Sequence, residues 1–199
     1  MFIDFDRFSD SETSLKMFVI AIEHTDNDSH FWKYCLLSIH NALQGYMCIA
    51  LSEGNSFATW KEQDFKKWMK AYENGEPLPE TKLDYFMSLF EKLKIGANTE
   101  ISACGVSLKG EMVKTAIEKL NNLRNAFSHF NLDGRSITQL EAAEACIAGL
   151  ATIKHIVDDP DRILWYEDSI KEECQNLIKD IENKLGTIYQ LVSGNKKIC

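Results

Sequence analysis

Apolar residues spaced three and four apart constrain this chain more than any other feature. Trp32, Leu36, Ile39, Leu43, Met47 and Ala50 follow one another at that spacing, which lays one unbroken apolar stripe along a helix. The stripe predicts a helix over 28–51. The same period predicts a helix over 11–24, with Ser11 as its cap, and another over 81–94 through Leu83, Phe86, Leu89, Phe90 and Leu93. A charged, tryptophan-bearing helix over 57–73 ends at Asn74-Gly75 and the prolines behind it. Further helices are expected over 108–128, 136–157 and 160–191. The segment 96–110, with its Gly, Asn and Ser, is the least regular and separates the front of the chain from the back. Asn131 to Gly134 reads as a turn, and Asp158-Asp159-Pro160 as a break. No apolar/polar alternation is long enough for a sheet. The three prolines fall at 77, 79 and 160, so long stretches stay open to helix. The expectation is one all-α domain over 1–199, a helical bundle whose amphipathic faces stack on one another.

Two helices have informative faces. The segment 136–157 is apolar on two sides, through Ile137, Leu140, Ile147, Ala148 and Ala151 and through Ala143, Cys146, Leu150, Ile153 and Val157. It is expected inside the bundle. In the last helix Ile163, Ile170, Leu177 and Leu191 recur in a heptad-like seam, offset by Cys174, Ile181 and Ile188 and interrupted by Lys184. Such a seam suits a partner helix in the same chain, or in a second copy.

Bulk properties exclude several classes. No stretch approaches the ~20 apolar residues that span a bilayer, and the acidic start MFIDFDRFSD lacks a secretory pattern. A cytoplasmic protein with no membrane partner is expected. The six cysteines form no C-x-x-C, so reduced thiols, and neither a metal site nor a cofactor, are expected. The net charge of −8 argues against a nonspecific nucleic-acid coat. The charge is uneven: 1–31 carries −5 and 158–182 carries −6, whereas 94–136 carries +2.

That mildly basic segment holds the candidate site. In projection Val113, Ala116, Ile117, Leu120, Leu123 and Phe127 share one face, and Arg124 falls inside the same arc. A guanidinium there needs a carboxylate, a carbonyl, an interface or a ligand, because an unpaired buried charge is costly. Glu141 and Glu144 of the next helix are the candidate partners if Arg124 is only a core ion pair. Asn121, Asn125 and Ser128 lie beside it. His129 follows five residues on, about 140° away on an ideal helix. It meets Arg124 only if the helix ends near His129 or if two chains share the site; as a structural residue it would compensate the helix dipole. His40 lies at the edge of its helix's stripe near Asn41 and Gln44. His155 reads as structural. Trp60 and Trp68, with Lys61, Lys66, Lys67 and Lys70, are either RNA-stacking groups or aromatic anchors of a surface helix.

The string L-N-N-L-R-N-A-F-S-H-F resembles the signature of the HEPN family, all-α domains that handle nucleotides and RNA. In that family an Arg, commonly followed by a polar residue, precedes by a few residues a His near a helix end. Here those positions are Arg124, Asn125 and His129. The earlier W-K-Y-C-L-L-S-I-H-N-A-L-Q-G-Y-M looks like the helix that packs on the signature helix. The motif covers about ten residues, and the similarity in helical layout extends over 28–191. The resemblance implies a HEPN-like bundle with extra helices and a homodimeric composite site. It further implies a metal-independent endoribonuclease acting on RNA, as a toxin or antiviral-defence effector with an antitoxin or regulatory protein as a further partner. In one toxin subgroup a modified Tyr stands two residues after the His; here Asn131 stands there, so that mode of neutralisation is not expected.

Cleavage of RNA through its own 2′-hydroxyl needs a base, an acid and positive charge at the phosphate. Arg124, His129 and Asn125 are the candidate catalytic residues, and Asn121, Ser128 and His40 the candidate substrate contacts. The alternative is a non-catalytic HEPN-like module that binds a nucleotide or a protein. A helical scaffold with Arg124 as a core ion pair is the third reading.

Overall fold

The computed structural model describes residues 2–52, 54–95, 99–129, 134 and 136–194. Among them lie seven α-helices: α1 (Arg7–Glu23), α2 (Trp32–Ala50), α3 (Glu62–Asn74), α4 (Phe86–Lys92), α5 (Glu111–Ser128), α6 (Gln139–Asp158) and α7 (Asp168–Gly194). A small antiparallel hairpin, β1 (Glu100–Ala103) and β2 (Val106–Lys109), stands between α4 and α5. The chain is therefore all-α in class, with this hairpin as the correction to an expectation of no sheet. No helix among the described residues is long and apolar enough to cross a membrane.

The centre of the bundle is α6. Leu140 to Val157 is almost wholly buried on every side, as its two apolar faces require, and α2, α5, α7 and β1 pack around it. Small residues set the spacing. A Cβ built on Gly149 would lie 3.0 Å from both Ile39 Cγ1 and Leu120 Cδ2, so α2 and α5 approach the α6 backbone directly. The stripe of α2 is buried as a unit, with Leu36, Ile39, Leu43 and Met47 fully inside.

Several boundaries differ from the sequence expectation, each for a local reason. The cap of α1 is Asp6, not Ser11: Asp6 accepts from the Ser9 amide at 2.8 Å and Ser9 Oγ accepts from the Asp6 amide at 2.9 Å. Ser11 is instead buried inside the helix. Asp28 caps a single 3₁₀ turn, Ser29–Phe31, that precedes α2. Helix α4 begins only at Phe86, because Leu83 pairs with Trp60 in a β-bridge and backbone bonds tie Lys61 to Lys82 and Asp84 to Thr59. Thr138 and Glu141 form a capping box that starts α6. Pro160 does end the helix before it, but α7 starts only at Asp168. The intervening Trp165 and Tyr166 pack against Phe8, tilted and edge-on, with ring centroids 5.6 and 5.7 Å away.

The seam of α7 is satisfied largely within the chain. Cys174, Ile178, Ile181 and Leu185 are buried, with α6 and α1 as neighbours. Lys184, the residue that interrupts the seam, reaches Glu23 of α1 at 2.6 Å. Ile163 lies before the helix, and Leu191 leaves the seam for solvent. Of the turn expected at 131–134, residues 131–133 lie outside the described residues.

Candidate functional site

Helix α5 lays Val113, Ile117 and Leu120 into the core. Arg124 continues that face one turn later and is half-buried. Neither expected carboxylate meets it. Glu141 is engaged in the α6 capping box, and both Glu141 and Glu144 lie against Lys119, at 3.8 and 3.7 Å. Arg124 makes no ion pair among the described residues. Its Nη1 donates to Asn125 Oδ1 at 3.0 Å, and its Nε is buried with no hydrogen-bond partner. The core ion-pair reading therefore fails at the two partners it named.

His40, on α2, is fully buried rather than half-buried. Its ring stacks on Phe86 with centroids 3.9 Å apart and planes 18° from parallel. Its Nε2 lies 3.1 Å from Asn121 Oδ1. A carbonyl oxygen only accepts, so Nε2 carries the proton and donates. Burial pushes the imidazole down to about 4, and the charge of Arg124 acts in the same direction; the bond to Asn121 opposes them. His40 is thus a neutral imidazole that fixes the Asn121 carboxamide.

These groups converge. His40, Asn121, Arg124 and Asn125 line a cleft of about 410 Å³ among α2, α4 and α5, together with Gln44 and the segment Leu83 to Met87. With Asn121 Oδ1 and Asn125 Oδ1 both occupied as acceptors, the amide nitrogens of Asn121 and Asn125 remain as donors beside the guanidinium. Asp84 is the carboxylate in the lining, and Lys92 holds it at 2.7 Å. With Asp84 neutralised by Lys92 from outside the lining, the cleft offers donors around a guanidinium that has no ion pair among the described residues, the requirements of an anion.

Two sequence-predicted residues stand apart. Ser128 and His129 are exposed at the end of α5 and do not line the cleft. His129 has left the helical conformation, with φ −106° and ψ 125°, and its amide donates to the Asn125 carbonyl at 3.3 Å. Trp60 and Trp68 behave as anchors, each tilted against Phe57 at 5.0 and 5.3 Å. Sequence reasoning missed Tyr85 and the place of Lys61. Tyr85 precedes α4, lines the cleft and is 69% exposed; the Lys61 ammonium sits 4.0 Å from its ring centroid. Neither residue belongs to a helical stripe, so periodicity carried no signal for them.

Elsewhere, a larger apolar cavity of about 470 Å³ between β2, α5 and α6 holds none of the predicted site residues. Among the described residues no group of His, Cys, Asp and Glu is arranged to hold a metal ion. Burial raises the thiols of Cys35 and Cys104 to about 12 and those of Cys48 and Cys174 to about 11, which leaves them poor nucleophiles. No family model, curated protein or solved structure matches the chain.

Proposed function

We propose that this chain is a HEPN-like endoribonuclease that cleaves RNA through the 2′-hydroxyl, at a site completed by a second copy of the chain. One observation carries the reading: the half-buried Arg124 guanidinium faces a donor-lined cleft without a carboxylate partner among the described residues. A phosphodiester answers that chemistry, since the guanidinium fork matches two phosphate oxygens. His40 is not the base, because both its nitrogens are committed or buried. His129 is accessible and follows Arg124 at the spacing the resemblance requires. An imidazole is suited to proton transfer near neutral pH. In the reaction the 2′-oxygen attacks phosphorus and yields its proton to one His129. The P–O5′ bond breaks, and the 5′-oxygen takes a proton from the other His129. The product is a 2′,3′-cyclic phosphate. Arg124 and the amides of Asn121 and Asn125 stabilise the charge that builds on the phosphoryl oxygens. The resemblance suggests a toxin or antiviral-defence effector, with an antitoxin or regulator as partner.

The test is incubation of purified protein with total RNA in the presence of EDTA. Wild type is expected to produce fragments ending in 2′,3′-cyclic phosphate. His129→Ala is expected to lose roughly 10²–10⁴-fold in rate, and Arg124→Ala roughly 10²–10³-fold, both with unchanged helical circular dichroism. Cleavage that requires added Mg²⁺, fragments with 5′-phosphates, or full activity in His129→Ala would each overturn the mechanism. A second reading is a nucleotide-binding module without cleavage. It is favoured by the position of His129 outside the cleft of its own chain and by the net charge of −8; binding without cleavage is the outcome that selects it.

A further inference from the structure

The cleft is lined by two chemically different segments. Helix α5 supplies Arg124, Asn121 and Asn125. The segment running into α4 supplies a wall of Leu83, Tyr85 and Met87, with Asp84 of the same segment held by Lys92; Leu83 and Tyr85 are 44% and 69% exposed. Large apolar side chains gathered at one wall of a cleft, next to an unpaired cation, specify a ligand with an anionic end and an apolar body. Tyr85 refines the shape of that body. The Lys61 ammonium lies over its ring at 4.0 Å, and the residue is still mostly open to solvent. A flat ring is what stacks on such a surface. The cleft's 410 Å³ falls within the roughly 300–1,000 Å³ typical of small-molecule sites.

We propose that Tyr85 is a nucleobase-stacking subsite, so that the cleft binds one nucleoside monophosphate unit, with its phosphate on Arg124 and its base on the Tyr85 ring. This rests on the reading of Arg124 as the phosphate contact. Lys61 supports the ring from one side by a cation–π contact. Gln44, whose amide both donates and accepts, is the lining residue equipped to meet a base edge. Stacking tolerates any base, so the subsite adds affinity without strong sequence preference. The unit is either a free nucleotide or one nucleotide of an RNA chain.

Isothermal titration calorimetry with three probes separates the terms: ribose 5-phosphate, AMP, and 2′-O-methylated ApA, which lacks the attacking hydroxyl. AMP is expected to bind wild type tenfold or more tighter than ribose 5-phosphate, the contribution of roughly one stacked base. Tyr85→Ala is expected to bring AMP down to the level of ribose 5-phosphate, and Tyr85→Phe to retain the difference. Tyr85 is exposed, and a circular dichroism spectrum checks that each variant folds. Arg124→Ala is expected to weaken all three probes. Binding of the dinucleotide as tightly as AMP assigns the subsite to RNA; binding of AMP alone assigns it to a free nucleotide. Equal wild-type affinity for AMP and ribose 5-phosphate, or a difference that survives in Tyr85→Ala, overturns the proposal. If none of the probes binds, both it and the phosphate reading fail. If AMP binds through Tyr85 while RNA stays intact, the endoribonuclease reading fails alone.

Discussion

At the scale of single residues, His40 shows how burial decides what a side chain can do. Its neighbours come from three helices: Asn41 from its own, Phe86 from α4, and Asn121 and Arg124 from α5. Removal from water disfavours the imidazolium, and the nearby guanidinium disfavours it further, so the pKa falls to about 4. In the unfolded chain a histidine titrates near 6.5. Between those values the unfolded state binds a proton that the folded state refuses. Stability from this group is therefore complete above about pH 6.5 and is lost as pH falls toward 4. His155, half-buried beside Arg162, is shifted the same way. Glutamine at position 40 keeps an amide donor for Asn121 and does not titrate. In urea unfolding, wild type is expected to lose about 2 kcal/mol more than His40→Gln between pH 7 and pH 5; equal losses in the two proteins would sink this account. The residue scale is also where the sequence was most informative about the site. Arg124 was conspicuous because a charge interrupted an apolar arc, and Asn121 and Asn125 followed from its helical neighbourhood. His129 was legible as a motif position but not as an exposed one. Tyr85 was illegible, because nothing in the string Asp84-Tyr85-Phe86 tells that a β-bridge at Leu83 holds it before a helix.

At the scale of elements, amphipathic period located the long helices, and what it missed was decided by contacts distant in sequence or by unusual backbone. The β1–β2 hairpin is the clearest case. Its two-residue turn, Cys104-Gly105, has φ values of 55° and 75°, the pattern of a type I′ turn. The sequence signal for that turn is Asn-Gly, and cysteine in the first position hid it. Ile101 and Ala103 are buried under the α6 contact, so tertiary packing holds a hairpin that four-residue strands would not announce. Helix spacing gives a testable consequence at the α1–α2 crossing. A Cβ built on Gly45 would stand 2.0 Å from Ser11 Oγ and 3.0 Å from Ser11 Cβ. Alanine gains about 1 kcal/mol over glycine in helix propensity, but overpacking at such a contact costs about 1–3 kcal/mol. Gly45→Ala is expected to destabilise the protein. Ser11→Gly removes both clashing atoms, so Gly45→Ala introduced into that background is expected to be neutral or stabilising. A double-mutant cycle by thermal unfolding measures this; strictly additive effects would show that the helices part without cost.

At the scale of the whole molecule, the proposed cleavage needs a base and an acid, whereas one chain places a single exposed histidine, His129, at the end of the helix that carries Arg124. The acidic runs belong to α1 and to the approach and first half of α7, which pack together, whereas the cleft lies among α2, α4 and α5. The proposed phosphate site thus lies away from both acidic runs. Arg124 faces the cleft, and His129 stands outside it at the exposed end of α5. A two-fold arrangement of copies with their α5 ends facing each other would bring both His129 side chains and both Arg124 side chains around one shared site. That arrangement predicts dominance. A dimer of one wild-type chain and one His129→Ala chain holds a single His129 and lacks either the base or the acid. Free exchange at equal concentrations leaves about a quarter of the dimers wild type, so RNA cleavage is expected to fall to roughly half of that given by the same amount of wild type alone. If instead each chain cleaved with its own histidine, wild-type chains would keep their full activity in any pairing. Mixing wild type with an equal amount of His129→Ala, allowing subunit exchange and measuring RNA cleavage distinguishes the outcomes, and light scattering on the same samples reports whether the dimer that the argument requires is formed.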